Sequence, residues 1–474
     1  MFYSVLRQTS KIYSEPIWTE LAVYASAFLF VKNRGQSMPF LHGFRRIVYE
    51  YQPLVDAVLR VVGVEENASP QGRNSNMEEE GALCHSLVEL LEKESQSVVF
   101  QEGISYALFK VAEHGLVYAA EVLLRYGADL NFEDPVSYYN PLHIAVLRNR
   151  PEMVKALVRH GASICKRDRI HDCSPLDLSS EELERLPCLH LLLDLGADVN
   201  ARDKTGKTAL LHAFAISDGI TVNNTANIQL LLEKGADVQA ATKEGETALS
   251  SLVFLVKEAL EGNAEDVREV GRFCLAVTRL LLVHGADPSC CDGEGADGEP
   301  SLTQTCLEHF DLLFPLAVLL LQSGASFRCS CRGAPCWTGP GLVFGRLAAA
   351  LQENPDPEVA GETFARAELL LDLAQVTTPT LPVTCRLDPP VVSEQDRHGQ
   401  AVLDFRHRVW DRTGPPALRC LCRASIRQSL QPWPLESKVQ ALPLPDRLKE
   451  YLVPELTYQP KPGQDCFKPH LPSR

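Results

Sequence analysis

The sequence predicts an all-α fold in which a solenoid of helical repeats is followed by a short C-terminal module of three helices. Two observations lead to this prediction. A leucine-rich helical segment ending in Gly-Ala recurs between residues 123 and 325, and self-similarity of this kind is the signature of a repeat array. Near the C-terminus, apolar residues recur every four positions and Leu442-Pro443-Leu444-Pro445 follows them, which indicates short helices separated by prolines.

The first 100 residues are expected to precede the repeats. Leu21–Val31 is an uncharged apolar run, but it is shorter than the roughly 18 residues that a membrane-spanning helix needs. No small-residue cleavage site follows it, and the next methionine is Met38. We therefore expect residues 1–37 to be an extension outside the fold, and residues 38–100 to form a helical N-terminal region with a linker.

Residues 101–330 carry the repeats. The Gly-Ala pairs begin at residues 127, 161, 196, 235, 285 and 324, so the intervals are 34, 35, 39, 50 and 39 residues. Pro141-Leu142-His143-Ile144-Ala145 and Ser174-Pro175-Leu176 open two of the units. Ser or Thr can cap a helix whose first turn accepts proline, and glycine suits the left-handed turn after a helix. The pattern resembles the ankyrin repeat, which implies a turn and two helices in each unit of about 33 residues.

Some units depart from the ankyrin pattern. Asp177 stands where the motif has histidine, and longer intervals place inserted segments near Ser217–Thr225 and Lys257–Glu269. We expect these insertions to bulge from the helical faces and to shape a protein-binding surface, since loops on a rigid scaffold often carry binding residues. Residues 331–412 are expected to connect the array to the C-terminal module, with a helix over Phe364–Ala374, and residues 457–474 are expected to form a tail.

The C-terminal stripe consists of Leu418, Cys422 and Ile426, with Leu421 beside it, while three arginines repeat at the same interval on an adjoining face. Prolines on both sides favour a short helix here. A helix of this length is not stable alone in water. Its apolar stripe therefore packs either on the rest of the protein or on a partner.

These residues resemble a SOCS box. Leu418–Ile426 is similar to the half that binds elongin C, and the Leu-Pro-Leu-Pro run is similar to the half that binds cullin-5. The resemblance implies a box over residues 413–456. It implies that elongin C is contacted by Leu418, Leu421, Cys422 and Ile426. It implies that cullin-5 is contacted by Leu442, Pro443, Leu444, Pro445, Leu448 and Tyr451.

An ankyrin array followed by this box resembles the ankyrin repeat and SOCS box family. The resemblance implies a substrate-recognition subunit of an elongin–cullin-5 RING ubiquitin ligase. The array would bind a protein substrate, and the box would recruit elongin C with elongin B, and cullin-5 with its RING subunit. The alternative is an ankyrin scaffold that binds proteins without recruiting a ligase.

Composition favours protein partners. The formal net charge is -15, with 61 acidic and 46 basic residues, which argues against a nucleic-acid or membrane-surface partner. The 15 cysteines are odd in number and have no regular spacing, which favours reduced thiols and a cytoplasmic location.

Other motifs have simpler explanations. Ala201–Thr208 is similar to a phosphate-binding loop but falls on a repeat turn, and Gly293–Gly298 is crowded by carboxylates that would repel a phosphate. Several cysteines lie within one repeat of each other: Cys290, Cys291, Cys329, Cys331 and Cys336. A zinc site commonly starts from a CxxC pair, and the sequence contains no such pair. His143 is expected to form hydrogen bonds within its repeat. We expect no metal, no cofactor and no catalytic residues, so the chain is not expected to be an enzyme.

Overall fold

The computed structural model describes residues 43–64, 77–135, 137–214, 224–288, 300–328, 337–354, 356–377, 397–412, 418–430 and 435–453. The expectations for residues 1–37, for Gly293–Gly298 and for the cysteines at 290, 291, 329, 331 and 336 lie outside these segments. Within them the regular elements are helices, which confirms the predicted all-α fold, and one isolated bridge joins Arg328 and Thr338. No helix of the described segments is long and apolar enough to cross a membrane. They form two compact units, divided between Lys204 and Thr205.

The first unit has two layers of helices, and within each layer every helix packs on the next. One layer contains α1 (Gly43–Val61), α3 (Phe100–His114), α5 (Pro141–Leu147) and α7 (Pro175–Ser180). The other layer contains α2 (Met77–Glu94), α4 (Val117–Arg125), α6 (Pro151–Arg159) and α8 (Leu186–Asp194). Each helix of the first layer also pairs with the following helix of the second layer, as the repeat pattern predicts.

The second unit is also built from two layers. One contains α9 (Ala209–His212), α11 (Ala248–Leu260), α13 (Leu302–Glu308), α15 (Gly339–Glu353) and α17 (Arg397–Arg412). The other contains α10 (Thr225–Glu233), α12 (Ala264–Val283), α14 (Phe310–Gln322), α16 (Pro357–Thr377) and α18 (Leu418–Ser429). The last two helices are α19 (Leu435–Ala441) and α20 (Asp446–Leu452), and α20 packs on both α18 and α19.

Glycine ends the second helix of each repeat. The six glycines of the Gly-Ala pairs have φ values between 88° and 101°, a left-handed conformation that side chains with a Cβ rarely adopt. The N–H of each following alanine donates to the carbonyl five residues earlier, as Ala162 does to Leu157 at 3.0 Å. This bond satisfies a carbonyl that the end of the helix would otherwise leave without a partner.

Asp177 replaces the histidine of the repeat motif and keeps its capping role. Its carboxylate accepts hydrogen bonds from the N–H and the hydroxyl of Ser174, both at 2.8 Å. It also forms an ion pair with Arg167 at 3.0 Å. Because Asp177 is 1% exposed, its charge needs such a partner to be tolerated. Arg167 therefore compensates for the departure from the motif.

The insertion near Lys257–Glu269 lengthens a helical hairpin, so the expectation of a bulge is wrong there. α11 has 13 residues and α12 has 20, whereas α5 has 7 and α6 has 9. Asn263 closes the turn between them, since its side chain accepts the N–H groups of Glu265 at 2.9 Å and Asp266 at 3.0 Å. This cap starts a new helix inside the insertion. Of the other insertion, residues 217–223 lie outside the described residues.

The segment between the array and the C-terminal helices is largely helical. It contains α15, α16 and α17, which continue both layers beyond the last Gly-Ala hairpin. Phe405 of α17 lies edge-on to Phe344 of α15 and to Phe364 of α16, with ring centroids 6.0 and 5.3 Å apart. Aromatic pairs in this geometry stabilise by about 0.5–1.5 kcal/mol beyond the area they bury. They fix α17 on the hairpin that precedes it.

Candidate functional site

The predicted apolar stripe of α18 faces outward. Leu421 is 39% exposed and Ile426 is 40% exposed, and Cys422 is also exposed. Leu418 begins the helix, but its side chain is outside the described residues. Neither described apolar side chain of the stripe is enclosed by the protein, so packing on the array does not account for the stripe.

The arginine face of α18 is buried instead. Arg423 is 8% exposed and Arg427 is 4% exposed. The guanidinium of Arg423 lies over the ring of Tyr451, 4.8 Å from its centroid, and a desolvated pair of this kind stabilises by about 2 kcal/mol. Nη1 of Arg427 donates to the carbonyl of Leu452 at 2.8 Å. Both arginines therefore hold α18 against α20.

The helices α19 and α20 enclose a small core made of Leu435, Val439, Leu452 and Val453. Leu442 and Leu444 of the proline-rich run pack against this core. Lys449 of α20 also joins the two helices, since its ammonium donates to the carbonyl of Gln440 at 2.8 Å. The apolar core and this hydrogen bond together hold the turn between α19 and α20 in place.

The residues predicted to contact cullin-5 divide into two groups. Leu442 and Leu444 point toward the core, and Tyr451 is half-buried beneath Arg423, whereas three residues are exposed: Pro443, Pro445 and Leu448. Leu448 is 49% exposed. The Tyr451 hydroxyl is buried with no hydrogen-bond partner among the described residues. The first group shapes the turn, and the second forms its outer surface.

Sequence reasoning missed the structural role of Arg423 and Arg427. Their four-residue spacing was visible, but spacing alone does not say which face of a helix is buried. A long arginine side chain can place its stem in an apolar contact while its guanidinium reaches polar acceptors. Here those acceptors are an aromatic ring and a helix C-terminus, and both depend on the tertiary fold.

His143 has the structural role expected from the sequence. Its Nδ1 accepts the N–H of Asn140 at 3.3 Å, and the Asn140 side chain accepts the N–H of His143 at 2.9 Å. Burial lowers the pKa of His143 to about 4, because the charged imidazolium loses its hydration. The neutral ring closes the cap of α5, a role that needs no proton transfer.

The buried thiols are not poised for chemistry. Burial raises the pKa of Cys188 and of Cys274 to about 12, so both remain protonated, whereas the thiolate is the nucleophile.

Ala201–Thr208 leads directly into α9, a helix of four residues. A phosphate-binding loop instead follows a buried strand.

Family models match three parts of the chain. A SOCS box model covers residues 414–452, a model of three ankyrin repeats covers residues 79–168, and a single ankyrin repeat model covers residues 171–204. The chain is also similar over most of its length to Ankyrin repeat and SOCS box protein 6 of Homo sapiens. The two are 53% identical over 420 residues, which is 88% of this chain and 98% of that protein.

The chain belongs to the ankyrin repeat and SOCS box family. The Mus musculus protein of the same name is 53% identical over 418 residues and covers the same share of the chain. Ankyrin repeat protein nuc-2 of Neurospora crassa is 26% identical over 211 residues, which is 41% of this chain and 19% of that protein.

The family assignment fits the structure part by part. The SOCS box match spans α18, α19 and α20, and the ankyrin matches reach from α2 to α8. As in the ankyrin repeat and SOCS box family, ankyrin repeats precede a helical box. The chain thus has both parts of a SOCS-box substrate receptor, and the box carries the exposed apolar face of α18.

Proposed function

We propose that the chain is the substrate receptor of an elongin–cullin-5 RING ubiquitin ligase. The observation that carries the proposal is the orientation of α18, whose apolar face is exposed while its arginine face is buried. Contiguous exposed apolar surface marks protein-binding sites, and Leu421, Cys422 and Ile426 are all exposed on this one helix. The patch lies in the segment that matches the SOCS box.

In this proposal the box, taken as residues 413–456, has two contact surfaces. Leu418, Leu421, Cys422 and Ile426 bind elongin C, which brings elongin B. The turn from Leu442 to Pro445, together with Leu448 and Tyr451, forms the cullin-5 surface, and its direct contacts come from the exposed residues Pro443, Pro445 and Leu448.

Magnitudes explain why two surfaces are needed. Fully burying three apolar side chains is worth about 5–8 kcal/mol, and docking of α18 gains only part of this because Leu421 and Ile426 are already more than half buried. Association costs about 4–15 kcal/mol in lost translational and rotational freedom. The stripe alone therefore gives weak binding, and the second contact raises the effective concentration of the first.

The contribution of the chain itself is proximity. Cullin-5 brings a RING subunit with its charged ubiquitin-conjugating enzyme, and the array holds the substrate so that a lysine lies within reach. Bringing two reactants together replaces a bimolecular encounter by an effectively unimolecular step. No catalytic residue of the receptor is required. We place the protein in the cytoplasm, which suits the free thiols of its described cysteines.

We further propose that the extended hairpin of α11 and α12 is part of the substrate surface. Phe254 on α11 is 39% exposed, and aromatic residues, phenylalanine among them, are enriched in protein interfaces. Replacing residues 257–269 by a short loop is expected to abolish substrate capture and to leave elongin recovery unchanged. Unchanged substrate capture would contradict this assignment.

Recovery of elongin B and elongin C with the purified full-length chain tests the proposal. Leu418→Ala combined with Cys422→Phe is expected to abolish recovery, since a bulky ring at Cys422 prevents close packing. Cys165→Phe is the matched control, because Cys165 is an exposed thiol of the array. Recovery at the wild-type yield by the double variant would leave only the alternative, an ankyrin scaffold. Substrates can be identified separately, by comparing proximity labelling by the intact chain with labelling by the box-disrupted chain. A substrate is expected to accumulate on the disrupted receptor.

A further inference from the structure

We propose that Arg427 fixes the orientation of the SOCS box on the array by binding the C-termini of two helices at once. This inference rests on the proposed function, since the orientation matters for reaching a substrate lysine. Nη1 of Arg427 donates to the carbonyl of Leu452 at 2.8 Å, and Nη2 donates to the carbonyl of Gln322 at 3.2 Å. Leu452 is the last residue of α20 and Gln322 is the last residue of α14.

Helix C-termini are suitable sites for a guanidinium. The last carbonyls of a helix have no partner within that helix, and the aligned peptide dipoles give this end a partial negative charge. A guanidinium has several N–H donors in a rigid planar fork, whereas an ammonium is a point charge. Arg427 can therefore satisfy two carbonyls from different helices in one fixed geometry. Because it is 4% exposed, water does not readily replace either bond.

The two acceptors belong to different parts of the protein. Leu452 lies in the box, and its neighbour Val453 completes the box core. Gln322 ends the second helix of the last Gly-Ala hairpin, next to Gly324 with its φ of 92°. Arg427 thus links the box directly to the array, in addition to the chain segment that joins α17 and α18.

Helix packing extends this link. α18 follows α16 in one layer, as α17 follows α15 in the other, so the first helix of the box occupies the place of the next second-layer helix. Phe405 already fixes α17 on α15 and α16. Arg427 completes the arrangement on the side of α18, and the exposed patch with Leu421 and Ile426 consequently has a defined position relative to the array.

The role is positioning, and a measurement of orientation tests it. Dyes attached through non-natural amino acids at Arg279 of α12 and Glu450 of α20, both exposed, report the distance between array and box by single-molecule energy transfer in the full-length chain. We expect one narrow distribution for the wild type and a distribution at least about twice as wide for Arg427→Met. Arg427→Lys is expected to be intermediate, because a lysine keeps the charge but not the fork.

Arg423→Met is the matched control. Arg423 contacts Tyr451 within the box, so its loss weakens the contact between α18 and α20 without breaking the link to Gln322, and the distribution is expected to widen less than that of Arg427→Met. Elongin B–C affinity, measured in parallel, shows whether each box is folded, and for Arg427→Lys it should stay within about two-fold of the wild type.

A narrow distribution in both Arg427 variants would overturn the inference. If Arg427→Met lost elongin binding through misfolding, Arg427→Lys would decide, and an unchanged width there would also overturn the inference. Failure of the wild type to bind elongin would contradict the proposed function instead, while the width measurement would still report on Arg427.

Discussion

Truncating the exposed face of α18 should separate partner binding from stability. Fully burying a leucine or isoleucine side chain is worth about 1.5–3 kcal/mol. Leu421 and Ile426 are 39% and 40% exposed, so docking adds about two-fifths of that value for each, or roughly 1.2–2.4 kcal/mol together. Since 1.4 kcal/mol is a factor of ten in affinity, Leu421→Ala with Ile426→Ala should weaken elongin B–C binding roughly 7- to 50-fold.

The matched control is Leu452→Ala inside the box. Leu452 is 3% exposed, and a buried leucine-to-alanine change costs about 2–5 kcal/mol. Calorimetric titration with purified elongin B–C measures the affinity, and hydrogen exchange of the α18–α20 amides measures local stability. We expect the double variant to lose affinity and to keep more protection than Leu452→Ala, because Leu421 and Ile426 are only partly buried whereas Leu452 is almost fully buried. Equal loss of protection in both variants would contradict this prediction, because it would mean that Leu421 and Ile426 are buried in solution.

Two further predictions concern the side chains of Tyr451 and His143. Tyr451→Phe removes a hydroxyl that is buried without a partner among the described residues and keeps the ring beneath Arg423. Hydrogen exchange of α20 should therefore show equal or greater protection, by up to about 1–3 kcal/mol; reduced protection would reveal a partner for the hydroxyl. His143 has an ordinary pKa of 6.5, and burial lowers it to about 4. The folded state thus disfavours the proton, so stability is full above pH 6.5 and falls as the pH drops toward 4, by up to about 3 kcal/mol. His143→Gln keeps an acceptor for the cap and should reduce this loss, as measured by amide exchange of α5 at pH 7 and pH 4.5; an equal loss in the variant would assign the pH dependence to other groups.

The repeats could be predicted from the sequence because their signals are local. A Gly-Ala pair after a leucine-rich run requires a left-handed turn, and the φ of 101° at Gly161 confirms it. The cap at Ser174 followed by Pro175 likewise fixes the start of α7. These positions depend on backbone geometry within a few residues, so tertiary context has little to change.

The extended hairpin and the segment after the array were harder to predict. Asn263 followed by Asp266 is a capping signal inside the insertion, but the insertion was expected to bulge from the helical faces. α15 and α16 lack the Gly-Ala ending of the earlier units, and their place in the layers comes from packing such as that of Phe405 on Phe344. Such contacts join residues far apart in sequence, which a local pattern does not contain.

The candidate site was predicted in part. The four-residue spacing of Leu418, Cys422 and Ile426 identified the helix and its apolar face, but periodicity could not decide whether that face was buried. In the structure the arginine face of α18 is the buried one, because Arg423 contacts the ring of Tyr451 and Arg427 donates to the carbonyl of Leu452. Burial of the arginines leaves the apolar side chains at the surface, where a partner can bind them.

Thiol footprinting shows without any substitution whether elongin B–C binds the exposed face of α18. Cys422 is exposed on α18, and Cys165 is exposed on the array. The full-length chain is alkylated for short times with and without purified elongin B–C, and mass spectrometry measures the rate at each thiol. We expect elongin B–C to slow alkylation of Cys422 at least about ten-fold and to leave the rate at Cys165 unchanged. Equal rates at Cys422 with saturating elongin B–C would contradict it.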